Sequence, residues 1–252
     1  MQYLQYLIVC PLIFIAGYID SIAGGGGLIS LPAYLIAGLP PHGAIATNKL
    51  SSSMGTSIST IRYAKEGFIN WKTAIVCAVS AIVGSSLGAK LSLLIDDSVL
   101  KMVMLVLIPV TAVIVLKSRG MSGETRESLS PGKTMAVAVA VALIIGGYDG
   151  FYGPGAGTFM LLALTAVARM PIRSANGITK VINLSSNVGS LVVYLMNGKV
   201  LIPLGLAAGV FGIAGNWLGS RTFSKKGAGI AKPVMLVVLA VFFVKTLMEV
   251  LQ

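Results

Sequence analysis

The stretch "DSIAGGGGLISLPAYL", Asp20 to Leu35, sets four consecutive glycines between two apolar runs. The run before it, Tyr3 to Ile19, has the character of a membrane helix. The run after it, Leu28 to Ala37, has ten residues, too few to cross about 30 Å of hydrocarbon unaided. It reads as a re-entrant half-helix or as a short span inside a protein-lined region, because irregular backbone is tolerated at membrane depth only there. A second stretch, "GGYDGFYGPGAG" (Gly146 to Gly157), stands before another short apolar run, Thr158 to Ala168. Asp20 and Asp149 each precede the first glycine of their cluster by four residues. Downstream, "LSSSMGTS" (Leu50 to Ser57) is echoed by "LSSNVGSL" (Leu184 to Leu191), and "YAKEGFI" (Tyr63 to Ile69) by "YLMNGKV" (Tyr194 to Val200). Matched features in the same order indicate an internal repeat.

Working outward, 56% of the 252 residues are hydrophobic, 11% are charged, and the mean hydropathy is +0.90. Such values exclude an ordinary soluble domain and give an all-α polytopic membrane protein; a barrel would read as alternating segments of about ten residues. Each half carries five apolar segments. In the first they are Tyr3–Ile19, Leu28–Ala37, Ala44–Tyr63, Thr73–Leu94 and Val99–Leu116; in the second, Thr134–Tyr148, Thr158–Ala168, Ala175–Met196, Val200–Ser220 and Pro233–Leu251. No Lys or Arg precedes the first segment and no cleavage pattern follows it, so it is expected to stay as a helix rather than be removed as a signal peptide. The polar linker from Lys117 to Lys133 divides the chain into a first membrane repeat (1–117), a cytoplasmic linker (118–133) and a second membrane repeat (134–252).

The net charge of +11 sits in short loops without interleaved aromatics, which points to membrane topology and not to nucleic acid. If all ten segments are passes, one side collects 14 of the 19 Lys and Arg residues and the other keeps 5, Lys49 among them. Eight passes would erase the bias. Ten passes put both termini outside and the linker in the cytoplasm. Five passes per half make the second repeat inverted relative to the first, the sequence pattern of a secondary transporter with a midplane site.

Interrupted backbone at the start of a half-helix presents free N–H groups backed by the helix dipole, a receptor for an anion. Glycine lets the ligand approach. On this reading Gly24, Gly25, Gly26 and Gly27 line the substrate site in the first half, and Gly153, Gly155 and Gly157 do so in the second. The alternative use of glycine is close helix packing, the reading preferred for Gly84, Gly88, Gly212 and Gly215. "ATNKLSSSMGTSIST" (Ala46 to Thr60) and "SANGITKVINLSSNVGS" (Ser174 to Ser190) add polar residues that lipid would not tolerate. Asn48, Lys49 and Ser52, with Thr179, Lys180 and Asn183, are the candidate substrate ligands from these helices. Asn48, Ser52 and Thr56 form one stripe and Thr179, Asn183 and Asn187 another. Alternatively, the hydroxyls bond back to their own helix and the lysines snorkel to an interface. Aligning the LSS triplets places Asn183, not Lys180, opposite Lys49. Asp20 and Asp149 are candidates for coupling or gating; capping a half-helix and pairing with a lysine are the other roles open to them. Tyr18, Tyr148 and Tyr152 flank the clusters as gating residues or as packing. His42 is read as a loop residue. Cys10 and Cys77 lack metal or disulfide spacing, so neither a metal, another cofactor nor a catalytic residue is expected.

The residues "DSIAGGGGLISLPAYLIAGLPPHGAIATNKL" resemble the TauE/SafE sulfite exporter family, also described as toluene-sulfonate uptake permeases. The glycine-rich opening, the following "LP", the "AxxTN" entry to the next helix and the second-half repeat carry the resemblance, which covers nearly the whole chain. It implies transport of a sulfur-bearing anion such as sulfite or a sulfonate across the bacterial inner membrane. Pro154 and Ala156 depart from a run of glycines, so the half-sites need not bind alike. The expected protein is thus an ion-coupled secondary transporter of a small anion working by alternating access, with a proton as a candidate coupling ion and the bilayer as its medium. A homo-oligomer is left open. Competing readings are an anion channel, a transporter of a non-sulfur organic anion, and an intramembrane enzyme pairing Ser51 or Ser185 with Lys49 or Lys180.

Overall fold

A computed structural model describes residues 2–117 and 129–226. Among the described residues there are nine helices and no strands: α1 (Gln2–Ala23), α2 (Gly27–Ile36), α3 (Pro41–Lys65), α4 (Trp71–Leu93), α5 (Asp97–Lys117), α6 (Pro131–Phe151), α7 (Ala156–Ala166), α8 (Ile172–Met196) and α9 (Ile202–Lys226). Nine of the expected segments thus appear as helices, the short second member of each half included. The tenth, Pro233–Leu251, and most of the linker lie outside the described residues. Helices α1, α4, α6 and α9 are long and apolar enough to span a membrane.

Local sequence sets the boundaries. Proline stands at the first position of α3 and of α6, where its missing N–H has no helical partner to lose. Asn70 caps α4, its side chain accepting from the N–H groups of Lys72 and Thr73 at 3.1 and 3.4 Å. Helices α3 and α8 end alike. Phe68 N–H donates to Tyr63 O across a left-handed Gly67, and Lys199 N–H donates to Tyr194 O across a left-handed Gly198. The short helices α2 and α7 also end on left-handed residues, Gly38 and Arg169.

Helix α1 packs along α9 as α6 packs along α4, and among the described residues these are the two most extensive helix contacts. Small residues make both close. A Cβ on Gly84 or Gly88 would fall on the backbone of Leu143 or Gly147, and one on Gly215 or Gly219 on that of Phe14 or Tyr18. Gly84, Gly88 and Gly215 therefore do pack, as the sequence suggests. Gly212 packs as well, its carbonyl oxygen 2.8 Å from where a Cβ on Gly17 would stand, and it also borders a cavity. Outward side chains such as Ile75, Val79 and Leu87 on α4 are exposed and apolar, as a lipid-facing surface requires.

Helices α3 and α8, each 25 residues and so about 37 Å long, turn their polar residues inward. Asn48, Lys49, Thr56, Thr179, Lys180, Asn183 and Asn187 are all buried. Two sequence readings need correcting here. His42 is a buried residue in the first turn of α3 and not a loop residue. Its Nδ1 lies 2.6 Å from Asp97 Oδ1 and its Nε2 2.9 Å from Ser92 O, so it ties α3 to the α4–α5 turn. The register inferred from the LSS triplets also fails. Lys49 and Lys180 each lie eight residues after the first residue of their helix, and Tyr63 and Tyr194 each twenty-two, so the two lysines are positional equivalents. Three hydroxyl-bearing residues in a row misled the alignment because Ser51 and Ser53 bond back to carbonyls of their own helix and carry no register information.

Candidate functional site

Two ion pairs cross between the halves. Lys49 Nζ of α3 is 2.9 Å from Asp149 Oδ1 of α6, and Lys180 Nζ of α8 is 2.8 Å from Asp20 Oδ2 of α1. Each lysine thus reaches the aspartate that precedes the other half's glycine cluster. Neither lysine snorkels: Lys49 is 1% exposed and Lys180 is fully buried. Lys180 also donates to the main-chain oxygen of Asp20, and Ser186 Oγ donates to Asp149 Oδ2. Tyr63 and Tyr194 brace the arrangement from equivalent places. The first donates to Ser21 O at 2.6 Å and the second to Gly150 O at 3.0 Å, in each case the residue after the aspartate. On the ten-pass expectation, removing the two buried lysines from the loop tally would leave 13 basic residues on one side and 4 on the other.

The glycine clusters meet each other. A Cβ on Gly24 would sit 2.5 Å from Gly157 O, and one on Gly157 would sit 2.5 Å from Gly24 O. Thr158 Oγ1 donates across the crossing to Ala23 O at 2.9 Å. Gly24, Gly153 and Gly155 have φ of +76°, +104° and +81°, the left-handed region that glycine enters without steric cost. Close packing is therefore part of what these glycines do. Gly27 approaches Pro154, whose Cα would be 3.0 Å from an added Cβ, so the proline that departs from the glycine run forms part of the contact.

The same crossing borders a cavity of about 510 Å³, counting its open mouth. Its wall includes Gly24, Gly26 and Gly27 from the first cluster, Gly153 and Gly157 from the second, both aspartates, and Lys49. Asn48, Ser52 and Asn183 complete the expected residues that reach it. Gly25, Gly155, Thr179, Lys180, Tyr18, Tyr148 and Tyr152 do not line it. Of these, Lys180 stands directly behind Asp20, and Tyr148 donates to Pro154 O at 2.7 Å while packing edge-on to Tyr152. The hydroxyls of Tyr152 and Thr179 are buried without a partner among the described residues.

Sequence reasoning missed Asn216 of α9. It lines the cavity 3% exposed, donates to Gly212 O at 3.0 Å, and leaves its Oδ1 without a partner among the described residues. The available signal was a lone asparagine in the otherwise apolar run from Leu201 to Leu218. Ser51 and Asn187 also reach the wall. Asn187 Nδ2 donates to Asn183 Oδ1 at 3.0 Å, and Tyr34 donates to Ser51 Oγ at 2.7 Å.

One buried ammonium, four amide side chains and several hydroxyls therefore line one small space together with Gly26 and Gly27 at the start of α2. The family profile described as "Sulfite exporter TauE/SafE" matches residues 9–246. The chain belongs to the TauE/SafE family. Among its relatives is "Probable membrane transporter protein ORF9" of Sinorhizobium sp, 38% identical over 89% of this chain and 85% of that one. "Probable membrane transporter protein YfcA" of Escherichia coli K12 is 32% identical over 93% of this chain and 87% of its own. "Probable membrane transporter protein MJ0441" of Methanocaldococcus jannaschii is 25% identical over 88% and 89%. No solved structure matches the chain. As a TauE/SafE protein with several apolar helices it is a multi-pass membrane transporter and not an enzyme.

Proposed function

We propose that this TauE/SafE protein is a secondary transporter that carries a small sulfur-bearing anion, sulfite or a sulfonate, across the bacterial inner membrane by alternating access. The observation that carries this reading is the pair of crossed Lys–Asp contacts, each made by the aspartate that precedes one of the two meeting glycine clusters. Lysine in a membrane helix costs about 2.5–3.5 kcal/mol on insertion scales, so two of them held at the centre of the fold call for a function there. Lys49 supplies the attracting charge. The N–H groups at the start of α2, the side chains of Asn48, Ser52 and Asn183, and the backbone of Gly153 and Gly157 supply further contacts. Asp20 and Asp149 serve coupling or gating, with Lys180 holding Asp20 in place.

Two inverted repeats, residues 1–117 and 134–252, account for the matched elements. Equivalent contacts at Gly84 and Gly215, at Gly88 and Gly219, and at Tyr63 and Tyr194 support that organisation. The basic-residue bias supports a cytoplasmic linker and external termini. The sulfur comes from the family description, since the wall chemistry would suit other oxyanions too.

A channel is the competing reading, because the cavity has a mouth. Counterflow separates the two. Proteoliposomes preloaded with unlabelled sulfite should draw labelled sulfite transiently above its external concentration. A monotonic approach to equal concentrations would make the protein a channel.

A further inference from the structure

Charge balance in the cavity leads beyond the transport of an anion to what travels with it. Lys49 and Asp149 cancel, and Lys180 cancels Asp20, so the unliganded site is neutral. An anion that takes up Lys49 leaves two negative groups sharing one ammonium in a buried space, with Asp20 on the same wall. Among the described residues no other cation faces the pair. Around Asp149, α7 carries no charged residue, the two lysines of α4, Lys72 and Lys90, are exposed, and α8 presents Ser186 and Tyr194, the tyrosine already donating to Gly150 O. On its own helix, Tyr148 donates to Pro154 O. From α3 comes Lys49 alone, and from α1 only Asp20, already held by Lys180.

Asp149 is, however, equipped to hold a proton. Ser186 Oγ has two acceptors within reach, Asp149 Oδ2 and Asn183 O, the latter at 3.0 Å, and one hydrogen to give. With a proton on Asp149, the carboxylic acid donates to Ser186 Oγ and the serine donates to Asn183 O, so neither the acid proton nor the serine hydroxyl is left unpaired. Asp20 lacks this device. Ser186 and Gly55 each lie fourteen residues after the start of their helix, so a glycine stands at the equivalent place in the first half.

We propose that each anion bound at Lys49 brings one proton from water onto Asp149, Ser186 reversing its hydrogen bond to accept it, so that substrate and proton cross together. This rests on the anion-transporter reading above. The test is titration calorimetry on the purified full chain with methanesulfonate and sulfate, anions too weakly basic to take up a proton themselves near neutral pH. Comparing buffers of different ionisation heat should give about one proton taken up per anion. Asp149→Asn should bring that count to zero, and wild-type affinity should weaken about tenfold per pH unit on the alkaline side. The wild-type count and slope decide the matter even if the variant does not fold. Binding without proton uptake overturns the inference and leaves the transporter reading standing. So does a count lost in Asp20→Asn and kept in Asp149→Asn. If sulfite alone binds, its own titration is subtracted and the same count decides. No binding of any of the three anions overturns the transporter reading, and the inference with it.

Discussion

Lys49→Ala is expected to abolish anion binding and to destabilise the protein at the same time. The substitution removes the ammonium that faces the cavity and leaves Asp149, 3% exposed, without its 2.9 Å partner. Breaking a buried pair by deleting one member costs about 3–5 kcal/mol, because an uncompensated charge stays behind. The two effects separate in the double variant Lys49→Ala/Asp149→Asn, which removes both charges. Its thermal midpoint should recover most of the loss while binding stays absent. Lys199→Ala is the control, since Lys199 is exposed beyond the end of α8 and should change neither property measurably. A thermal-shift and binding series that found Lys49→Ala and Lys199→Ala alike would remove Lys49 from the site.

Gly157→Ala should be strongly damaging, although it adds a single methyl group. Gly157 lies within α7, where alanine is intrinsically favoured over glycine by about 1 kcal/mol, so helix propensity predicts a small gain. The crossing predicts the reverse. The added carbon would lie 2.5 Å from Gly24 O and 2.8 Å from Gly24 Cα, and rigid backbone on both sides cannot give way without parting the two half-helices. Loss of a monodisperse peak in size-exclusion chromatography is expected. Gly67→Ala calibrates the measurement. It has a positive φ of +73° but no atom within 4 Å, so only the backbone cost of about 1–2 kcal/mol applies. A Gly157→Ala protein as stable as the wild type would show that Gly24 and Gly157 do not meet closely.

Both predictions rest on features that the sequence revealed to different degrees. Elements were readable because hydrophobic runs, proline starts and glycine ends mark each helix locally; α2 and α7 stood out by their length against the bilayer. Asp20, Lys49, Asp149 and the glycine clusters were readable as unusual residues for a membrane. Their partners were not. That Lys49 meets Asp149 and Lys180 meets Asp20 depends on how α3 and α8 cross α6 and α1, and local pattern says nothing of that. The LSS triplets even pointed to a different register, since serines that bond back to their own helix recur in membrane helices without marking equivalent positions. His42 was misplaced for a similar reason. Two prolines suggested a turn, but Pro41 opens α3, and the burial of the histidine follows from the distant Asp97. Asn216 was overlooked because a single amide in an apolar helix is a weak signal until the opposing wall is known.

The most direct test is a structure of the purified protein with a heavy-atom anion, selenite or a bromo-alkanesulfonate, located by its anomalous scattering. The anion should lie in the cavity, within hydrogen-bond distance of Lys49 Nζ and of the N–H groups that open α2 at Gly26 and Gly27. An anion bound elsewhere, with the Lys49–Asp149 pair and the glycine crossing sealed against each other, would contradict it.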